Sequence, residues 1–358
     1  MEARDWYERL LLLYVGLLPF VRIALLPVVD AKVQPTELVF LPLLFFGWQR
    51  YGRSLWAIDP RLRWAGLAYL FWNLLSALVA WNLPAVLEAC GRGYLLLVAL
   101  LVAAYVRERG EAAVWMLLRY FLYGTTVLAF CTYLGYLAAL FGYDNSMVQV
   151  YGNYPYLGTV LRAKGFTAGA GMLIIVLQLA VPYAWWGWRT GRLSLFWLAF
   201  LLPLAVLTLA KEVLLVGLGL ALVDPWFRGL TRKWGRGPAC EVRYGVGLVS
   251  AVAVVFWLGT HLILQARQPV AETSLAGTNY TSNELVWQGE RWQLLETSYL
   301  SLKKAAVHVA GQYPVFGVGP GQFGRHLPSL KESGQYPAHL PDYDPHSTWL
   351  GALAETGV

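Results

Sequence analysis

The sequence predicts an all-α polytopic membrane protein of about nine to ten transmembrane helices, with one large extracytoplasmic loop that carries an amphipathic helix. Three observations lead there. The chain is 58% hydrophobic and 14% charged, with a mean hydropathy of +0.49, whereas soluble domains average about 45–50% apolar and 25% charged. Its apolar residues fall in successive runs near spanning length, against the roughly 20 residues that cross a bilayer as a helix. Its arginines crowd into alternate connections between those runs, the pattern expected of cytoplasmic loops. The 17 Trp and 21 Tyr suit aromatic belts at two interfaces.

In order, the runs lie at 10–29, 36–48, 64–81, 88–106, 114–141, 166–188, 193–210, 213–227 and 244–264. The second and eighth are short and the fifth is long. The first run leads into further spans with no small-residue cleavage site, so it reads as an anchor rather than a cleaved signal. Pro19, Pro27, Pro42, Pro182 and Pro203 lie within or at the ends of runs, where neighbouring helices can re-satisfy the freed carbonyls. The sequence shows no repeat of fixed period.

Charge sets the sidedness. Arg4 and Arg9 precede the first span, and Arg50, Arg53, Arg61 and Arg63 crowd one connection. Arg107 and Arg109 lie in a second, Arg189 and Arg192 in a third, and Arg228, Arg232, Lys233, Arg236 and Arg243 in a fourth. With the N-terminus inside, alternation places all four in the cytoplasm. The connections 30–35, 82–87, 142–165, 211–212 and 265–345 then face outward. The organisation expected is a bundle over 1–264, an extracytoplasmic loop over 265–345, and the start of a further transmembrane helix over 346–358. That last stretch is too short to cross about 30 Å of hydrocarbon, so the chain reads as truncated. The net charge of +7 is accounted for by these loops. No nucleic-acid-binding motif accompanies it. Cys90, Cys131 and Cys240 are scattered without a CxxC pair, so neither a disulfide framework nor a zinc site is indicated.

The outer insert begins with a polar stretch from Pro269 to Gln288, read as a loop or short turns, with a lone sequon at Asn279. Trp292, Leu295, Tyr299, Leu302, Ala306 and Val309 follow at helical spacing, which predicts an amphipathic helix on the outer leaflet or over the bundle. The segment YPVFGVGPGQFG comes next, with Gly317, Gly319, Gly321 and Gly324 bracketing Pro320, so the backbone turns tightly and runs close to something. A spacer rich in Pro, His and Asp leads to HSTWLGALAETGV, where a helix is expected to open beside His346 with Asp344 or Ser347 near its cap.

Four titratable positions converge on the outer side: Arg162 (with Lys164), Lys211 (with Glu212), Arg291 and His346. Taken singly, each has a plain structural meaning. Arg162 is an interface anchor, Lys211 snorkels and pairs with Glu212, Arg291 is a solvated charge, and His346 is a helix-cap histidine. Together, three cations and a neutral imidazole on one face suit a diphosphate with a base beside it. The glycine run lacks the Lys-Ser/Thr of a Walker A loop, so it is not a P-loop. Asp342 and Asp344 have no acidic companions that would make a divalent-metal site.

The segments RAKGFTAGAG, LTLAKEV, Arg291-Trp292 with the following YPVFGVGPGQF, and HSTWLGALAETGV resemble the O-antigen ligase and O-antigen polymerase-like superfamily of membrane glycosyltransferases. The resemblance covers about residues 150–358, and its most specific part is the GVGPG element followed by H-x-x-x-L-x-x-x-A-E-T-G. It implies transfer of a glycan from an undecaprenyl-diphosphate carrier to an acceptor hydroxyl at the outer face of a bacterial cytoplasmic membrane. The acceptor is lipid A–core in the ligases, a growing glycan in the polymerases, and a protein in the O-oligosaccharyltransferases. Position by position, the family histidine falls on His346, which would take the acceptor proton. The diphosphate-binding arginines fall on Arg291, Arg162 and Lys211. Gly319 and Gly321 belong to the supporting glycine element, and Glu355, with Glu212, is a secondary partner that would orient His346 or Lys211. The sequence departs from the family pattern at Lys211, where arginine is usual and lysine lacks the bidentate fork, and at Ser347, where asparagine is common.

The chemistry needs no metal or cofactor, because a diphosphate is already a good leaving group once cations stabilise it. A histidine of ordinary pKa, about 6.5, is poised to accept a hydroxyl proton. Direct displacement would invert the anomeric centre. Two other classes fit the topology: a transporter with broken helices at its midplane, and an inactive relative serving as an assembly partner. A transporter would carry polar residues deep in several spans, whereas here the mid-span charges noted are few, Arg22 clearest and Arg119 nearer an end. Ligase and polymerase are not separable by these residues.

Overall fold

A computed structural model describes residues 3–20, 27–28, 31–32, 34–55, 60–154, 158–167, 169–209, 262–266, 283–340, 342–343 and 348–357. The protein is mostly helical, and four of its helices are long and apolar enough to cross a membrane. The described elements are α1 (Ala3–Leu17), β1 (Pro27–Val28), β2 (Ala31–Lys32), α2 (Pro35–Leu55), α3 (Pro60–Ala80), α4 (Leu83–Arg109), α5 (Glu111–Leu140), β3 (Val148–Tyr154), β4 (Gly158–Ala163), α6 (Ala170–Arg189), α7 (Phe196–Leu207), β5 (Leu262–Ala266), β6 (Asn283–Gln288), β7 (Trp292–Thr297), α8 (Ser298–Gln312), α9 (Phe323–Glu332) and α10 (Thr348–Thr356). The four candidate spans are α3, α4, α5 and α6, with α7 a shorter apolar helix. The run at 213–227 and most of the run at 244–264 lie outside the described residues; 262–264 belong to strand β5. The second run, short by hydropathy, is part of a 21-residue helix, α2.

The chain forms two compact units, Met1–Leu55 with Leu101–Val249, and Trp56–Leu100 with Ser250–Val358. In the first, α1 packs on α2 and α5, and α6 packs on α5 and α7. At the α1–α5 crossing, a Cβ added to Gly124 would overlap the carbonyl of Gly16. Small residues are needed there for the backbones to approach. Arg50 pairs with Glu108 at 2.6 Å, Arg109 with Glu8 at 2.7 Å, and Arg192 with Glu111 at 3.5 Å. These pairs gather the ends of α2 and α4, the start of α5 and the α6–α7 connection at one end; they belong to three of the four basic connections that sequence alternation groups together, and the fourth, Arg228 to Arg243, lies outside the described residues. At the opposite end of α5, the β3–β4 hairpin is held by Tyr136, whose hydroxyl donates to the Leu161 carbonyl at 3.2 Å.

In the second unit, α3 and α4 form an antiparallel hairpin around Trp81 and Asn82. Trp81 takes a left-handed φ of 49°. The Asn82 side-chain oxygen accepts from the Ala85 amide at 2.8 Å, capping α4, with Pro84 in the first turn. A three-stranded antiparallel sheet of order β5-β7-β6 leads into α8. The buried face of α8 (Leu302, Ala305, Ala306, Val309) packs with Phe323, Leu327, Leu330, Tyr336, Leu340 and Ala354.

Two expectations are corrected here. The helix expected from Trp292 starts at Ser298: Trp292 and Leu295 are in strand β7, and Tyr299 is exposed. Period-3.6 spacing of apolar residues over 292–297 is overridden by pairing with two neighbouring strands. The apolar face of α8 is filled by α9 and α10, so protein rather than lipid covers it. The tail of the polar stretch before it, 283–288, is also a strand rather than a loop. Hydropathy did not signal these β segments or the β3–β4 hairpin, which add short sheets to an otherwise helical protein.

Candidate functional site

The two halves of the C-terminal signature lock together in the second unit. The last turn of α10 presents carbonyls that its own helix leaves without donors. The Val318 amide donates to Ala354 at 3.0 Å and the Gly319 amide to Glu355 at 2.8 Å. The Trp72 indole donates to Thr356 at 2.8 Å. The Ser76 hydroxyl reaches both the Phe316 carbonyl at 2.6 Å and the Glu355 carbonyl at 3.0 Å. The Trp72 ring stacks on Phe316 with centroids 5.4 Å apart. The helix then closes at Gly357, whose φ of 72° is a left-handed C-terminal cap.

This interlock explains the glycines. Gly317, Gly319, Gly321 and Gly357 all have positive φ. A Cβ at Gly317 would overlap the Glu355 backbone and lie 2.5 Å from the Thr356 amide nitrogen. One at Gly319 would meet Ala80 Cβ at 2.6 Å, and one at Gly321 would meet Glu88 Cγ at 3.0 Å. The loop is therefore glycine-rich because it is wedged against α10 and the α3–α4 turn. The amides of Gly317, Val318, Gly319 and Gln322 are all bonded to protein carbonyls, so they form no anion cradle. The expected close approach of this backbone is what the structure contains.

Beneath the loop lies a charge that sequence reasoning passed over. Arg92, inside the candidate span α4, pairs with Glu355 of α10. Its other terminal nitrogen donates to the Asn73 side-chain oxygen at 2.9 Å, and its Nε lies 3.6 Å from Glu88. The side chains of Arg92 and Glu355 are 19% and 8% exposed. Leaving either one unpaired at such depth costs about 3–5 kcal/mol. The signal was in the sequence: a lone arginine within the run at 88–106 is the kind of intramembrane charge that needs a partner. Which carboxylate it takes is a matter of tertiary structure. Glu355, expected to orient His346 or Lys211, pairs with Arg92; those two expected partners lie outside the described residues.

Of the expected cations, Arg162 belongs to the first unit and Arg291 to the second. The Arg162 Nε donates to the Thr208 carbonyl at 2.8 Å, at the C-terminus of α7, and its guanidinium lies over Tyr151 at 5.4 Å. A cation suits that helix end. The bond also ties Arg162 to the LTLAKEV segment, three residues before Lys211. Arg291 is exposed in the turn joining β6 and β7, at the head of a strand rather than of a helix. Lys211, Glu212 and His346 lie outside the described residues. Among the described residues, no three His, Cys, Asp or Glu side chains come together as a metal site.

No protein-family model, curated protein or solved structure matches the chain. The class defined by the fold is a mostly helical protein with four helices able to cross a membrane.

Proposed function

We propose that this chain is a glycosyltransferase of the O-antigen ligase type, acting at the outer face of a bacterial cytoplasmic membrane. It moves a glycan from undecaprenyl diphosphate to a hydroxyl of lipid A–core. The observation that carries the reading is the interlock of the GVGPG loop with the AETG turn of α10. The resemblance joins these two segments as one signature, and they pack as one unit through Gly319 and Glu355. In the reaction, the acceptor oxygen attacks the anomeric carbon, His346 takes its proton, and the carrier diphosphate leaves. Arg291 stabilises the departing charge. The product bond has inverted configuration, which NMR of carrier-linked and transferred glycan would check. Polymerases and protein O-oligosaccharyltransferases share this chemistry and differ in the acceptor.

The test uses a host deleted for its own ligase and polymerase, comparing wild type with His346→Ala and Arg291→Ala by gel and mass spectrometry. Glycan on lipid A–core with wild type alone, and carrier-linked glycan accumulating in both variants, is the expected result. Longer carrier-linked chains with wild type alone would assign a polymerase. Identical behaviour of all three proteins would refute glycosyl transfer by these residues.

A further inference from the structure

The Arg92–Glu355 pair lies about 14 Å along α4 from its first residue, facing Asn73 of α3. If α4 spans the bilayer, this depth is within the hydrocarbon, where a charge is costly and is found paired. Trp72 and Ser76 of α3 bond carbonyls of the α10 terminus, and Arg92 adds an ion pair from α4. The carbonyls of the α10 terminus accept from neutral donors, the Val318 and Gly319 amides, the Trp72 indole and the Ser76 hydroxyl. The guanidinium and the carboxylate differ in this respect. Each is desolvated and matched by the other, so their registry fixes both the axial position and the rotation of α10. Arg92 also holds Asn73, so the same side chain sets the spacing of α3 and α4 under the glycine loop. Glu88, one turn before Arg92, packs against Gly321 and continues the contact to the loop.

We propose that Arg92 is a positioning residue: through Glu355 it fixes α10 in the one register that the glycine loop accepts. The role rests on the glycosyl-transfer reading above, because α10 is the helix that follows the His346 segment in the chain. Arg92 is filled by Asn73, Glu355 and Glu88 and binds no substrate itself. Its loss therefore lowers turnover while the KM for the lipid-linked donor stays as in wild type. A displacement of about 1 Å in a reacting group is enough for a loss of about 100-fold.

The experiment pairs an activity readout with one independent of activity. Ala354 of α10 is fully buried, packed in the cluster formed with α8 and α9. Ala354→Cys is made in a background lacking Cys90, Cys131 and Cys240, and its modification by a membrane-permeant maleimide is timed in native membranes. Arg92→Met, Glu355→Gln, Arg92→Lys and the exchange Arg92→Glu with Glu355→Arg are compared, with glycan transfer measured per folded molecule in the matching chains that retain Ala354. Slow labelling in wild type, labelling at least about tenfold faster in Arg92→Met and Glu355→Gln, and a fall in kcat without a change in KM are expected, with recovery of both readouts in Arg92→Lys or the exchange. Unchanged labelling in Arg92→Met would overturn the proposal. So would a loss of folded protein with unchanged turnover per molecule, which would make the pair structural only. Faster labelling in Arg92→Met with no transfer by wild type would sink the glycosyl-transfer reading, and the positioning role with it, while leaving the fastening of α10 intact.

Discussion

Replacing Gly317 by alanine tests the wedged loop directly. Its φ of 63° lies in the left-handed region, where a Cβ costs about 1–2 kcal/mol. The added carbon would also overlap the backbone of Glu355. Neither a peptide group nor the capped end of α10 can swing aside as a flexible side chain would. Overpacking of this kind adds about 1–3 kcal/mol, so the total is about 2–5 kcal/mol. Gly334 provides the control. Its φ of 71° is equally left-handed, but a Cβ there meets nothing within 4 Å, so Gly334→Ala loses only the backbone contribution of about 1–2 kcal/mol. Gly311, exposed near the end of α8 and also uncrowded, has the opposite sign. Gly311→Ala gains up to about 0.5–1 kcal/mol of helix propensity. Thermal unfolding in detergent, followed by tryptophan fluorescence, reads all three, because Trp72 stacks on Phe316 in this interface. At about 2–4 °C per kcal/mol, midpoints should fall by roughly 10 °C for Gly317→Ala and roughly 4 °C for Gly334→Ala, and rise slightly for Gly311→Ala. Equal shifts for Gly317→Ala and Gly334→Ala would refute the wedge.

Further outcomes follow from the same contacts. Ser76→Ala removes the hydroxyl shared by the Phe316 and Glu355 carbonyls and should destabilise by about 1–3 kcal/mol; a shift within error in the same melting assay would show that the hydroxyl is dispensable. Burial holds His326 below the usual histidine range, with its ring edge-on to Tyr313 at 5.5 Å. Its neutral form therefore favours folding above pH of about 6.5, and that contribution is lost as the pH falls from there through the lower folded value. His326→Phe should flatten the dependence of melting temperature on pH between about 5 and 7; an unchanged slope would remove His326 as its source.

Much of the protein was legible in its sequence because hydropathy and helical length are local properties. Runs of apolar residues and the arginines at connections are read without knowing what touches what. The helices α3 to α6 and the grouping of the Arg50, Arg109 and Arg192 connections at one end agree with that reading. The glycines of GVGPG also announced a tight backbone and a close neighbour, since only a missing Cβ allows either. Tertiary structure alone decided that the neighbour is the last turn of α10. It also decided that Trp292 and Leu295 enter a strand, because sheet pairing depends on partners distant in sequence, and that Glu355 serves Arg92. A carboxylate and a guanidinium 263 positions apart carry no mark of each other in the sequence. They are matched only when folding removes both from water and leaves each as the other's best available solvent.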